Sequence, residues 1–531
     1  MTLSFASPWW RAALASSIVV LAACGGGGGG GAGSGGLPAS TVPQEPAAAV
    51  LGPAWWSFGR DAQHGAVSAI ATQDLNRIGW TTPVDLAPQY QPNGALWTHY
   101  GSPVVSDHNT VVVPVKTAAA GGFRVEGRSG GNGVQIWSLD SDYVAPPHNW
   151  MPSFNATITP DGRVVVPGAG GKLLVRDSAD NASAATRTLV FYGTQAYATA
   201  PAAFDASVFV NTPVTSDAQG NLYFGFAVTG SNPAGLSGGI ARVDPAGNGR
   251  WISAASASGD ATMAKAAMNS APALSPDGTT VYAAVNTVAQ TGVTQTGVLL
   301  ALDSTTLAVK GKVALVDPAS GQPARVSDNG TSSPTVGPDG HVYFGVLESS
   351  LGAHNGRGWL LQFDAALATQ FVPGGFGWDV TASLIPASMV PSYTGTSTRL
   401  IAVKYNNYAG LGGSGQNELA VLDPAASQVD PISGRPVMRE VLKILSPTFT
   451  TGTSGPVEEW CINTMAVDPA TGSILANNED GILYRWNLAT NTFSQSIRLS
   501  AGLGQAYTPT AVGADGAVYA ISNARLYSVV R

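Results

Sequence analysis

One unit recurs along most of this 531-residue chain, and its turn chemistry narrows what the chain can fold into. The clearest copy runs from Asn329 to Asp364. Ser333-Pro334-Thr335-Val336 opens a short strand, Pro338-Asp339-Gly340 reverses it, and His341 to Val346 runs back with bulky and β-branched residues. Trp359 to Asp364 supplies a third strand. Proline presets φ, aspartate bonds its own backbone and glycine accepts a positive φ, so the reversal reads as a hairpin turn. The unit can be laid over the chain eight times, with its anchor at Pro103, Ala156, Pro213, Pro272, Pro334, Ser383, Met465 and Pro509. Anchors lie 44 to 82 residues apart, so the loops vary while the strands do not. Three or four short strands at this period predict a propeller blade, and eight copies predict an all-β, eight-bladed β-propeller. The sixth and seventh copies lack the anchor proline and rest on position alone.

Composition agrees with many short strands. Charged residues make up 11%, and 65 glycines with 35 prolines suit tight turns rather than long helices. The formal net charge is −7 and no basic run exists, which argues against nucleic acid as a partner. Cys24 and Cys461 are the two cysteines, so neither a disulfide framework nor a Cys-x-x-Cys metal or haem motif is available. Gly-x-Ser-x-Gly, His-Glu-x-x-His and phosphate-loop motifs are also missing.

The first 23 residues carry Arg11 and then an apolar run, Ala12 to Ala23, that is too short to span a bilayer as a helix. They read as a secretory signal. Leu21-Ala22-Ala23-Cys24 resembles the lipobox of bacterial lipoproteins. That resemblance implies a diacylated Cys24 as the mature N-terminus, and Gly25 in place of aspartate implies sorting to the outer membrane. An ordinary signal peptide with an incidental cysteine is the plainer alternative. Residues 24–52 are rich in glycine, have almost nothing to bury, and are expected to form a disordered tether spanning roughly 30 Å. Residues 53–531 are then the folded body.

That body opens on Trp55-Trp56-Ser57-Phe58-Gly59-Arg60-Asp61-Ala62-Gln63-His64. Together with the repeated unit, this opening resembles the quinoprotein-like propeller family, whose repeats are named for pyrroloquinoline quinone (PQQ). The resemblance implies a ring closed by an N-terminal strand, here Ile78 to Thr82, lying opposite Leu526 to Val530 in the last blade. Lys116 to Gly133 reads as a glycine-rich excursion between the second and third strands of blade one.

In such a ring the residues just before each anchor converge on the axis at one mouth. They include His99, Tyr100, Asn149, Trp150, Asn211, Asn269, Asn329, Asp379, Glu459, Asn463 and Tyr507. Asp379, Glu459 and Asn463 offer hard oxygen ligands suited to calcium, and the aromatic faces suit a flat cofactor or a sugar. Each residue also has a structural reading, because Asn and Asp cap turns and Trp fills cores. Cys461, beside Trp460, reads as a buried apolar thiol. Family dehydrogenases hold PQQ beneath an adjacent Cys-Cys pair with calcium alongside, and this chain has no such pair. Three functions are therefore weighed. The first is a membrane-anchored, non-catalytic binding or scaffold module with an envelope protein partner. The others are a PQQ- and calcium-dependent dehydrogenase and a glycan-binding surface protein. The first fits the sequence best.

Overall fold

Each anchor stands at the start of an inner strand, and the strands that follow pair outward into eight antiparallel sheets. A computed structural model describes residues 55–90, 96, 100–146, 154–290, 293–328, 330, 332–501 and 508–531. The two weak copies obey the period as well, with inner strands at Ser383–Pro386 and Ala466–Asp468. Turns behave as their chemistry requires. Gly340 sits at φ 82° while the Asp339 carboxylate accepts the His341 amide at 3.1 Å, and Gly278 with Asp277 repeats the arrangement. Ring closure also follows expectation. Arg77–Pro83 pairs antiparallel with Arg525–Val530, which places Ile78 opposite Val529 and Thr82 opposite Leu526.

Neighbouring blades are stitched at their inner strands by side-chain hydroxyls. Thr157 donates to the Val214 carbonyl, Thr215 to Pro272, Thr335 to Ala382 and Ser383 to Met465. Each such bond contributes about 1 kcal/mol net, and its direct role is register between blades. Between the sheets lie apolar layers such as Phe123 stacked on Phe154 at 4.9 Å.

Two features depart from the sequence reading. Lys116 to Gly133 is no excursion, because Thr110–Ala118 and Gly121–Ser129 form a hairpin that makes the second and third strands of blade one. Gln135–Ser141 is then the fourth strand. Alternating Arg124, Glu126 and Arg128 already had the period of two that marks a strand, and both guanidinium groups pair with the buried Glu126 carboxylate. Blade five, in contrast, has only three strands. The long hairpin of blade six, Glu418–Val429 and Pro436–Leu445, lies against it, with the Met438 amide on the Pro373 carbonyl. Val437 joins the apolar cluster of blades four and five. An outer edge that would otherwise be open is thereby covered.

Residues Trp55 to Gln73 supply the floor of the ring. Inner strands leave backbone groups facing the channel, and these need partners. Val105 exchanges two bonds with Trp55, and Ile158 donates to Trp56. Leu274 donates to Ala62, Val336 to Gln63, Leu384 to Gly65 and Val467 to Ala66, while the Gln73 amide reaches Gly516. One segment thus bonds blades one, two, four, five, six, seven and eight. These partners fall on the far ends of the inner strands and the turns beyond them, so the segment closes the mouth opposite the anchors. Tight coiling is needed to visit so many blades, and Gly59, Arg60, His64 and Ala66 all have positive φ.

Candidate functional site

At the mouth on the anchor side, blades five, six and seven deliver a polar cluster. Arg357 sets its position, because its carbonyl accepts the amides of both Gly377 and Trp378 at 3.0 Å. Gly377 must lack a side chain, since a Cβ there would stand 1.9 Å from the Trp359 carbonyl oxygen. Gly377→Ala is expected to cost about 1–3 kcal/mol through forced displacement, read as a lower urea midpoint. An unchanged midpoint would show that the 376–379 backbone is not pinned. Asp379 follows in the left-handed region at φ 65°, a conformation Asp tolerates and that recurs at functional sites.

Lys404, the penultimate residue of the strand Arg399–Tyr405, is 2% exposed and places Nζ 3.9 Å from Asp379 Oδ2. Asn406 and Trp460 then exchange backbone and side-chain bonds, which fixes the segment that carries Glu459, Cys461 and Asn463. Burial, reinforced by Glu459 and Asp379, pushes the Tyr408 phenol well above its usual range. Cys461 is half-buried, and its thiol is pushed well up by burial and then by Glu479. The raised value leaves the thiol protonated.

Across the mouth, the buried Asp328 carboxylate accepts from Lys265 Nζ at 2.5 Å and from Asn286 and Gln295 at 3.0 Å. Burial alone would raise its pKa, but the Lys265 charge and the amide donors hold it below the usual carboxylate value. Asn211 binds the Ala266 carbonyl through its side chain and the Asn269 amide through its own carbonyl. Between these groups runs a cleft walled by Met268, Ser270, Arg325, Phe344, Trp378 and Asp379. It has about 20 Å³ of free space, room for one or two waters.

The residues singled out from the sequence thus fall into sets. Asn211 and Asn269 meet at the junction of blades three and four. Asp379, Glu459 and Asn463 share the junction of blades six and seven, where the Thr381 amide bonds the Asn463 carbonyl. Tyr100 stands apart, bonded with Lys116 to the buried Asp85 carboxylate. His99, Asn149, Trp150, Asn329 and Tyr507 lie outside the described residues. Sequence reasoning missed Lys404 and Lys265. Their signal was a lysine at a strand end in a chain poor in charge, since burying an ammonium there requires a carboxylate nearby.

Fold and site define an all-β, eight-bladed propeller, floored at one mouth and polar at the other. No protein-family model and no curated sequence matches the chain. Among solved structures, a europium-containing methanol dehydrogenase matches with a TM-score of 0.54 at 10% identity, covering 88% of this chain and 89% of that one. BamB from Moraxella catarrhalis gives 0.43 at 13% identity, covering 85% and 98%. Quinohemoprotein alcohol dehydrogenase from Comamonas testosteroni gives 0.39 at 12%, covering 89% and 71%. Likeness at such identity bears on the fold and leaves the ligand to be argued from the site.

PQQ and calcium can be tested against the residues present. Asp379 is already paired with Lys404, and among the described residues no three His, Cys, Asp or Glu side chains lie close enough to share a metal. Cys461 has no adjacent cysteine with which to form the pair that lies over PQQ in the family dehydrogenases.

Proposed function

We propose that this protein is an exported, lipid-anchored propeller of the cell envelope that binds a ligand or an envelope partner at the mouth on the anchor side and performs no chemistry on it. One observation carries the reading: carboxylates at the mouth are neutralised by the chain's own buried lysines, Asp379 by Lys404 and Asp328 by Lys265. These two carboxylates are balanced by cations the fold itself supplies and need no metal for that purpose. Turnover is the test. The mature chain, given PQQ, Ca²⁺ and an artificial electron acceptor, is expected to oxidise alcohols and aldoses no faster than buffer does. Oxidation that requires both additions and disappears in Asp379→Asn would overturn the reading.

Under this reading residues 1–23 direct export, Cys24 carries the acyl chains, residues 24–52 are the tether and residues 53–531 are the binding body. Support for anchoring at Cys24 is its setting, Leu21-Ala22-Ala23-Cys24, which resembles a lipobox. Two acyl chains bind a bilayer stably where one does not. Cys24→Ser is therefore expected to abolish acyl labelling and to move the protein out of the outer-membrane fraction. Retention there with no label would contradict the anchor.

A further inference from the structure

We propose that the cleft between blades four, five and six receives a neutral sugar ring, stacked on Trp378 with one hydroxyl or hydroxymethyl arm inserted toward Ser270. The proposal rests on the binding-module reading above and names the ligand class of the same mouth. Three observations carry it. First, the free space of about 20 Å³ suits a single hydroxyl-bearing arm.

Second, a polar atom at the cleft lacks a protein partner: Ser270, which lines it, is 3% exposed and its hydroxyl has none. Donors or acceptors left unmet in this way are costly, and a ligand hydroxyl that meets them gains what the fold forgoes. Asp379, on the cleft wall, is held in the left-handed region at φ 65°. Strain of this kind persists where surrounding structure over-determines it.

Third, the wall combines a flat apolar face with hydrogen-bonding groups and little unbalanced charge. Trp378 is half-buried in that wall. Asp379 is offset by Lys404, and Arg325 Nε is engaged by the Ser349 carbonyl. The lining itself holds one carboxylate, Asp379, and one guanidinium, Arg325, so it presents no excess of either sign and suits a neutral polyol. An indole beside hydroxyl and carboxylate groups matches a sugar, whose C–H face is apolar and whose rim is hydroxylated.

Native gels cast with neutral polysaccharides (a β-glucan, a galactomannan and a starch), and with alginate as the charged control, test this directly. The mature chain is expected to be retarded by at least one neutral polymer and released by its free oligosaccharide. Trp378→Ala should weaken retardation about tenfold or more and Ser270→Ala a few-fold. Trp251→Ala removes an exposed tryptophan on the outer strand of blade three and should change nothing. If Trp378→Ala fails to fold, Trp378→Phe, which keeps an aromatic face, should still bind with intermediate strength. No retardation by any neutral polymer, retardation by alginate alone, or full retardation of a folded Trp378→Ala would overturn the proposal. Failure here without PQQ-dependent turnover removes only the sugar assignment, whereas turnover removes the binding-module reading itself.

Discussion

Asp430→Ala is expected to lower the free energy of unfolding at pH 7 by about 3–5 kcal/mol, because it strands a buried guanidinium. Asp430 is fully buried at the tip of the blade-six hairpin. Its carboxylate accepts from His354 Nε2 at 2.8 Å, Arg357 Nη1 at 3.1 Å, and the Ser433 amide and hydroxyl at 2.7 Å. His354 stacks on Trp359 at 4.2 Å, and the Arg357 guanidinium lies 4.1 Å from the Tyr405 ring centre. From the other side, the Glu348 carboxylate takes the amides of His354, Gly356 and Gly358. One carboxylate therefore ties the hairpin that covers blade five to the loop that aims Trp378 and Asp379.

The same group sets an acid limit. Burial would raise the Asp430 pKa, but the His354 and Ser433 bonds and the Arg357 charge override it and hold the carboxyl well below the usual range. A depressed carboxyl contributes stability that is present above its unfolded pKa and is lost as pH falls through the folded value. Urea unfolding of Asp430→Ala should thus show a lower midpoint at pH 7 and a shallower further loss in acid. A loss under about 1 kcal/mol at pH 7 would mean that the hairpin is held by apolar contact alone.

His64 gives the second large effect, in a different pH window. It is completely buried in the floor, packs edge-on against Phe58, and bonds the Pro334 carbonyl through Nδ1 at 2.8 Å. That bond requires a proton on Nδ1, which leaves Nε2 as an acceptor with no partner. Burial lowers the imidazole pKa from 6.5 to about 4. The unfolded chain takes up a proton near pH 6.5 that the folded chain refuses, so stability is full above that pH and falls as pH drops toward 4. A gap of this size amounts to about 3 kcal/mol by pH 4. His64→Leu should be about 1 kcal/mol less stable than the parent at pH 7, where the Pro334 bond is lost. It should then lose less than the parent between pH 6.5 and 4, so the two stability curves converge or cross. Parallel curves would show that the floor admits water to His64.

Blade count, turn chemistry and ring closure were legible because they depend on local residue types at fixed spacing. Even Ser383 and Met465, without proline, could be placed, since the period carries information that the anchor residue does not. The floor was not legible. Trp55 to Gln73 works mainly through backbone amides and carbonyls, which leave no side-chain period to read. Nor was the covering of blade five, because the segment responsible comes from the next repeat and has length as its only local mark. At the mouth, the position of residues before the anchors was enough to list Asp379, Glu459 and Asn463. It could not reveal that Lys404 arrives from a second strand to meet Asp379, since pairing between elements depends on tertiary distance.

The most direct measurement is thermal unfolding of the mature chain in detergent at fixed protein concentration, with PQQ and Ca²⁺ absent, added singly and added together. A ligand that binds only the folded state adds about 2.7 kcal/mol at a hundredfold excess over its dissociation constant, an easily visible shift. The account predicts an unchanged midpoint in all four conditions, because Lys404 and Lys265 already neutralise Asp379 and Asp328. A rise that requires both additions would contradict it and make the propeller a quinoprotein.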